Sequence, residues 1–294
     1  MRRTMETLDS TSALRLPGSA LSMPRWSEVG GGCPRVLRLG LATRGNTSLG
    51  AEDVAHAVGR GVNYLNSCGY DDGIALALRE QRIERERVVV AMQLQSRDAP
   101  SALRELDESF RRLGTSRIDV VTFYYVEEEQ EWQQITGPGG ACEAMEQARR
   151  KGQVRLIGLT THQRALAAKW VETRKLDLLM IRYNAAHRGA EEDVFPVTDR
   201  LRLPVVAYTA QRWGALAERT PDDPRDFTPP EALEWYRFGL AHPSISVVLM
   251  APFNRRELEE DLALLEDWRA PDVDEFEALS EHGRRVRRHA GMFP

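Results

Sequence analysis

From Arg35 onward, short apolar runs rich in Val, Ile and Leu alternate with longer stretches whose apolar residues recur at helical spacing. Runs that are apolar at successive positions suit strands buried on both faces, and amphipathic stretches suit the helices that cover them. The alternation therefore predicts βα units around a parallel sheet. Strands are predicted over 35–41, 62–65, 88–92, 118–123, 156–159, 178–181, 205–208 and 245–250. Helices are predicted over 51–60, 73–81, 99–113, 140–151, 163–173, 191–200, 230–242 and 255–265, one after each strand. A further amphipathic stretch, 273–287, has no strand after it and is expected to pack outside the ring or across one end. Gly152, after Arg149-Arg150-Lys151, reads as a helix stop, because glycine accepts a left-handed backbone and the cations oppose the helix dipole.

Eight strands, each followed by a helix, is the count of a (β/α)8 TIM barrel. The competing open, doubly wound sheet needs a phosphate loop after its first strand. Here Leu39-Gly40-Leu41-Ala42-Thr43-Arg44-Gly45 spaces its glycines differently, and no Walker-type sequence occurs. Before Cys33 the chain is rich in Ser, Gly and Pro, includes Gly30-Gly31-Gly32, and has no periodicity. Residues 1–33 are thus expected to form a flexible leader with at most a short hairpin, and 34–294 a single barrel domain with a C-terminal helix.

Composition and charge narrow the chemistry. A hydrophobic share of 42% and a charged share of 29% over 294 residues are those of a globular protein with a large core. A net charge of -4 gives no positive field for nucleic acid or an anionic membrane surface, which leaves a small-molecule substrate as the expected partner and the oligomeric state open. Cys33, Cys68 and Cys142 are scattered and odd in number, which suits neither a disulfide framework nor a metal cluster and predicts a reducing, cytoplasmic location. No stretch has the length of a signal-peptide core or of a membrane span.

Four segments carry a family resemblance. Gly152-Gln153-Val154-Arg155-Leu156-Ile157-Gly158-Leu159-Thr160 resembles the approach to the fifth barrel strand of the aldo-keto reductases, and Gly61-Val62-Asn63-Tyr64-Leu65-Asn66-Ser67 their second strand. The region 177–196, with Arg182-Tyr183-Asn184 and Glu191-Glu192, followed by Pro204-Val205-Val206-Ala207-Tyr208, resembles the sixth and seventh strands. His242-Pro243 through Leu258-Glu259-Glu260-Asp261-Leu262 resembles the eighth strand and the helix that holds the adenosine end of NADP. The resemblance spans 35–268 in order.

It implies hydride transfer between NADPH and a carbonyl carbon, with a tyrosine donating the proton and a lysine, an aspartate and a histidine tuning it. Matched position by position, the aspartate falls on Asn66, the lysine on Gln93 and the histidine on Tyr124. The loop after Asn66 is shorter than the family's, so the tyrosine has no clean match: Tyr70 lies one residue before its expected spacing and Asp71 lies on it. The usual set is degenerate, and carbonyl reduction is expected to be impaired, with Tyr70, Tyr124 or His162 as substitute donor.

For the cofactor, the resemblance implies that Tyr208 stacks on nicotinamide and that Thr160 and Thr161 hold its carboxamide, with Asn184 beside them. Met180 replaces a glutamine. The stretch 209–214, including Thr209 and Arg212, is expected to meet the pyrophosphate, and Asn254, Arg255 and Arg256 the 2′-phosphate. The result is a weakened NADP site. His162, His187 and Arg188 read either as solvated loop residues or as a proton donor with an anion clamp. Asp71-Asp72 reads as a helix cap or a base, and the acidic run 127–131 as a solvated loop or a helix start. Three functions remain: an altered NADP-dependent oxidoreductase, a catalytically silent binding barrel with a regulatory role, and a cofactor-independent lyase, isomerase or dehydratase using Asp71 or His162.

Overall fold

The computed structural model describes residues 23–43, 47–69 and 71–289. Strands β1 (Trp26–Ser27) and β2 (Val36–Leu37) form an antiparallel hairpin. Strands β3 (Leu39–Thr43), β4 (Tyr64–Ser67), β5 (Val89–Leu94), β6 (Ile118–Phe123), β7 (Val154–Thr161), β8 (Leu178–Arg182), β9 (Val205–Tyr208) and β10 (Ile245–Met250) close into a parallel barrel, β10 pairing with β3. The helices are α1 (Ala51–Gly59), α2 (Gly73–Arg79), α3 (Ala99–Leu113), α4 (Glu129–Thr136), α5 (Ala141–Arg150), α6 (Arg164–Val171), α7 (Ala190–Asp193), α8 (Phe195–Leu201), α9 (Ala232–Leu240), α10 (Arg255–Leu262) and α11 (Val273–Arg288). The eight-stranded barrel expected from the alternating pattern is what forms.

Departures from the predicted elements have local causes. The run 35–41 is two strands, because the chain turns at Arg38 from the hairpin into the barrel. The Arg38 guanidinium, 3% exposed, donates to the carbonyls of Pro24 (3.1 Å), His242 (3.3 Å) and Ile245 (2.6 Å). The predicted helix 191–200 is α7 and α8, separated at Val194. Pro196 has no N–H to donate and crowds the preceding turn, so one continuous helix is disfavoured. The acidic run 127–131 opens α4, a helix the periodicity did not predict. There the Glu131 carboxylate accepts from the Glu127 (2.8 Å) and Glu128 (3.2 Å) N–H groups, placing negative charge at the helix start. Gly152 does end α5, at φ 73. Of the expected leader, residues 1–22 lie outside the described residues, and from Met23 on the chain carries the hairpin.

The barrel interior is filled by Ala42, Tyr64, Val89, Ala91, Val120, Leu156, Leu178, Met180, Val206, Tyr208, Val247 and Leu249. Val29 and Val36 of the hairpin segment join this cluster and stop its N-terminal end. Gly31 makes that seating possible: it is left-handed (φ 61), and a Cβ there would come within 2.6 Å of Leu156. A second, larger apolar layer lies between the outer strand faces and the helices. With the N-terminal end stopped, the free space is left at the C-terminal ends of the strands.

Candidate active site

A cavity of about 1130 Å³ opens at those C-terminal ends. Its walls include Ala42, Asn66, Gln93, Tyr124, Thr160, Met180 and Tyr208, one or more from most of the barrel strands or the residue after. Parallel strands place their last inward side chains at one rim, which is why residues distant in sequence converge here.

Two buried polar atoms in this wall have no protein partner. Asn66 Oδ1 and Thr160 Oγ1 belong to side chains each 1% exposed, and neither atom is hydrogen-bonded within the protein. The Asn66 Nδ2 donates to Cys68 Sγ at 3.4 Å. Unmade hydrogen bonds in a buried position destabilise the fold unless a ligand or water completes them.

Tyr208 is only 8% exposed, and its hydroxyl donates to the Thr161 carbonyl at 3.1 Å. Burial holds its phenol well above the ordinary range, with Tyr125 adding to the shift. Tyr124 stacks on Tyr125 (centroids 4.0 Å), which adopts a left-handed backbone at φ 41. Tyr125 in turn packs against His162 at 4.3 Å, and His162 meets Tyr208 edge-on at 5.8 Å. His162 is fixed from behind by Glu127, whose Oε1 accepts from the His162 backbone N–H at 2.9 Å and lies 3.2 Å from its Nδ1. Burial pushes the Glu127 carboxyl up, but the hydrogen bonds from His162 outweigh it and hold that carboxyl below its usual range.

At the far side of the cavity Gln211, Tyr236 and Asp261 form a network. The Tyr236 hydroxyl donates to Asp261 Oδ2 at 2.9 Å, and Gln211 Nε2 donates to Tyr236 (2.6 Å) and to Asp261 Oδ1 (3.3 Å). Burial lifts the Asp261 carboxyl to about 7 despite the bond from Tyr236. Arg256, Glu257 and Glu260 complete this wall.

Several expected site residues lie elsewhere. Asp71 faces solvent and pairs with Arg79, while Asp72 caps α2 by accepting from the Ala75 N–H at 3.0 Å. The cap reading of that pair fits this arrangement. Thr161 Oγ1 is 3.4 Å from Glu127 and accepts from the Gln163 N–H, so it turns away from the cavity. Asn184 is taken up within its loop, donating to the Thr209 carbonyl (2.8 Å) and accepting from the Ala186 N–H (3.0 Å). Arg212 is 7% exposed and outside the cavity wall, whereas Thr209, Gln211, Trp213 and Gly214 of the same loop line the cavity, and the amides of Arg212 and Gly214 donate within the loop. Asn254 caps α10, accepting from the Glu257 N–H at 3.1 Å. Arg255 is committed to Glu259 (2.8 Å) and Asp53 (3.2 Å).

His162, His187 and Arg188 do not form one clamp. Arg188 is held by Glu191 at 2.8 Å and lies over the rings of Phe238 and Phe276. His187 sits 3.2 Å from Asn184, and burial together with Arg182, Arg212 and Arg287 lowers its pKa to about 3. Tyr70 is outside the described residues.

The reading of the sequence missed the Gln211, Tyr236 and Asp261 network and Cys68. Asp261 stood in a quoted motif, but nothing in the sequence places Tyr236 opposite it. Among the described residues no helix is long and apolar enough to cross a membrane, and no cluster suited to a metal ion occurs.

The sequence model of the Aldo/keto reductase family matches residues 37–269. No curated protein matches in sequence. The fold is similar to that of an aldo-keto reductase from Klebsiella pneumoniae solved in complex with NADPH, at 19% identity and a TM-score of 0.69, covering 89% of this chain and 96% of that one. It is also similar to the holo form of an aldo-keto reductase from Bacillus halodurans, at 16% identity and a TM-score of 0.68, covering 90% and 96%. An aldo/keto reductase from Brucella melitensis gives 14% identity and a TM-score of 0.68, covering 89% and 98%.

Proposed function

The chain belongs to the aldo-keto reductase family, and from that premise we propose that it is an NADP-dependent oxidoreductase acting slowly on a small carbonyl or alcohol substrate through non-standard residues. The reading rests on one observation: Thr160 and Asn66, whose buried Oγ1 and Oδ1 have no protein partner, line the same cavity as Tyr208. A nicotinamide nucleotide fits these groups. Thr160 would take a hydrogen bond with its carboxamide and Tyr208 would offer a face to its ring. When bound, it supplies the hydride.

The chain's own residues bind and orient. The amides of Asn66 and Gln93 position a carbonyl oxygen, and the Tyr124 phenol is a hydroxyl in the described cavity wall that can hand over a proton. Gln93 stands where the family has the lysine that tunes its proton donor, which makes slow turnover the expectation. Use of NADP over NAD is supported by the Klebsiella pneumoniae relative and by Arg256 at the cavity edge. The reading includes a single domain over 34–294 and a cytoplasmic location, consistent with three separate free thiols.

A second reading, nucleotide binding without turnover, is favoured by the two neutral amides at the cavity floor. The cofactor-independent lyase reading loses Asp71, which lies outside the cavity. Titration of the protein with NADPH and with NADH, followed by tryptophan fluorescence, tests the nucleotide site. Saturable binding that is weakened by Thr160→Val and Tyr208→Ala supports it, and absence of binding overturns it.

A further inference from the structure

Cys68 lies just beyond β4, half-buried, and lines both the main cavity and an adjoining polar one. Gln93 and Gln95 are shared by the same two cavities, so Cys68 stands at their junction. The Asn66 amide is 3.4 Å from the Cys68 sulfur. Asn66 is 1% exposed, and its other amide atom, Oδ1, has no partner in the protein. A buried amide whose far atom is unsatisfied, beside a thiol that reaches a cavity, marks a place where a ligand is missing a hydrogen bond as well as a possible covalent contact.

We propose that Cys68 captures the carbonyl carbon of a small, unhindered aldehyde as a reversible hemithioacetal, with the Asn66 amide steadying the resulting hydroxyl; this rests on the oxidoreductase reading of the same cavity. In the step, the sulfur forms a bond to the carbonyl carbon while the C=O π bond breaks. The thiol proton passes to the former carbonyl oxygen. No electrons are exchanged with a cofactor, and the reverse step restores thiol and aldehyde. The product carbon is tetrahedral and carries one O–H, which the Asn66 carbonyl oxygen accepts.

The adjoining cavity, of about 440 Å³, is walled by Ser96, Ser101, Arg104, Glu105 and Arg112 among others. Its polar character suits an aldehyde that bears hydroxyl or amide groups along its chain. Cys33 and Cys142 line neither cavity. They serve as internal controls.

The test uses the full chain and propanal labelled with carbon-13 at its carbonyl. Wild-type protein is expected to show a protein-bound hemithioacetal carbon signal, distinct from those of the free aldehyde and of the hydrate that propanal forms in water. Cys68→Ser abolishes it, Cys33→Ser and Cys142→Ser retain it, and Asn66→Ala lowers adduct occupancy about tenfold while iodoacetamide still alkylates Cys68. No protein-bound hemithioacetal signal in the wild type, or one that survives Cys68→Ser, overturns the proposal. NADPH titration of the same samples separates the outcomes: a missing adduct with normal nucleotide binding sinks the role of Cys68 alone, whereas loss of nucleotide binding sinks the oxidoreductase reading beneath it.

Discussion

The Tyr208 hydroxyl is tied to the Thr161 carbonyl at 3.1 Å, so the ring is held at the cavity wall by a bond made behind it. A phenol that spends its proton on a backbone carbonyl and is lifted well above its ordinary pKa by burial is a platform and not an acid.

Tyr208→Phe and Tyr208→Ala should therefore differ. Phe keeps the stacking face and loses only the tether, so NADPH affinity should stay within about twofold. Ala removes the face, which contributes on the order of 1 kcal/mol, or about fivefold in Kd. Fluorescence titration decides it, and equal losses in the two variants would refute the platform role.

Thr160→Val should have effects of opposite sign on stability and binding. The hydroxyl it removes is buried and unpartnered, a penalty of about 1–3 kcal/mol in the ligand-free protein. The variant should thus melt at or above the wild-type temperature while binding NADPH more weakly. A lower Tm with unchanged binding would mean that the hydroxyl serves the fold.

Two buried groups give stability opposite dependences on pH. Asp261, raised to about 7, is protonated in the folded state and ionised in the unfolded chain across acidic pH. Its contribution is present at low pH and falls away between about pH 4 and 7. His187, lowered to about 3, is neutral when folded and protonated when unfolded below its ordinary value, so its contribution rises from about pH 3 to 6.5. Over pH 4–6.5 the two slopes oppose each other. Asp261→Asn should leave a protein that gains stability more steeply as pH rises, and denaturant melts at pH 4.5 and 6.5 would show it; parallel profiles for variant and wild type would refute the assignment.

Arg38→Met should destabilise by about 3 kcal/mol, because three carbonyls lose a charged donor inside the protein. Nucleotide affinity, measured at a temperature where the variant is folded, should be unchanged, since Arg38 lies at the end of the barrel away from the cavity. A weaker Kd would show that the two ends are coupled.

Turnover of ordinary aldehydes, followed by NADPH oxidation, should be slow. A tuned general acid contributes about 10²–10⁴-fold, and Gln93 and Tyr124 provide no cationic partner of that kind. Tyr124→Phe should abolish the residue of activity. Rapid turnover surviving that change would move the donor to Tyr70 or His162.

The barrel was legible in the sequence because each strand is a short apolar run and each helix keeps its period. The rim was legible too: Asn66, Gln93, Tyr124, Thr160 and Tyr208 meet where the strand ends predicted. What the sequence could not show is direction and pairing. Thr161 follows Thr160 and alternates to the other face of its strand. Arg255 and Arg256 look alike in sequence and each pairs with the glutamate four residues on, yet only Arg256 borders the cavity. Arg38 reads as one polar residue in a strand, and only the carbonyls of Pro24, His242 and Ile245 around it explain the break.

The hairpin that seats Val29 and Val36 in the base of the barrel also dictates traffic. With that end stoppered, the cavity floor among the described residues is approached from the C-terminal end of the barrel. Whatever occupies the floor near Asn66 and Thr160 must arrive first, and whatever covers it must depart first. Binding should then follow a compulsory order, visible in steady-state kinetics as a pattern in which the outer ligand competes with nothing and the inner one waits for the door.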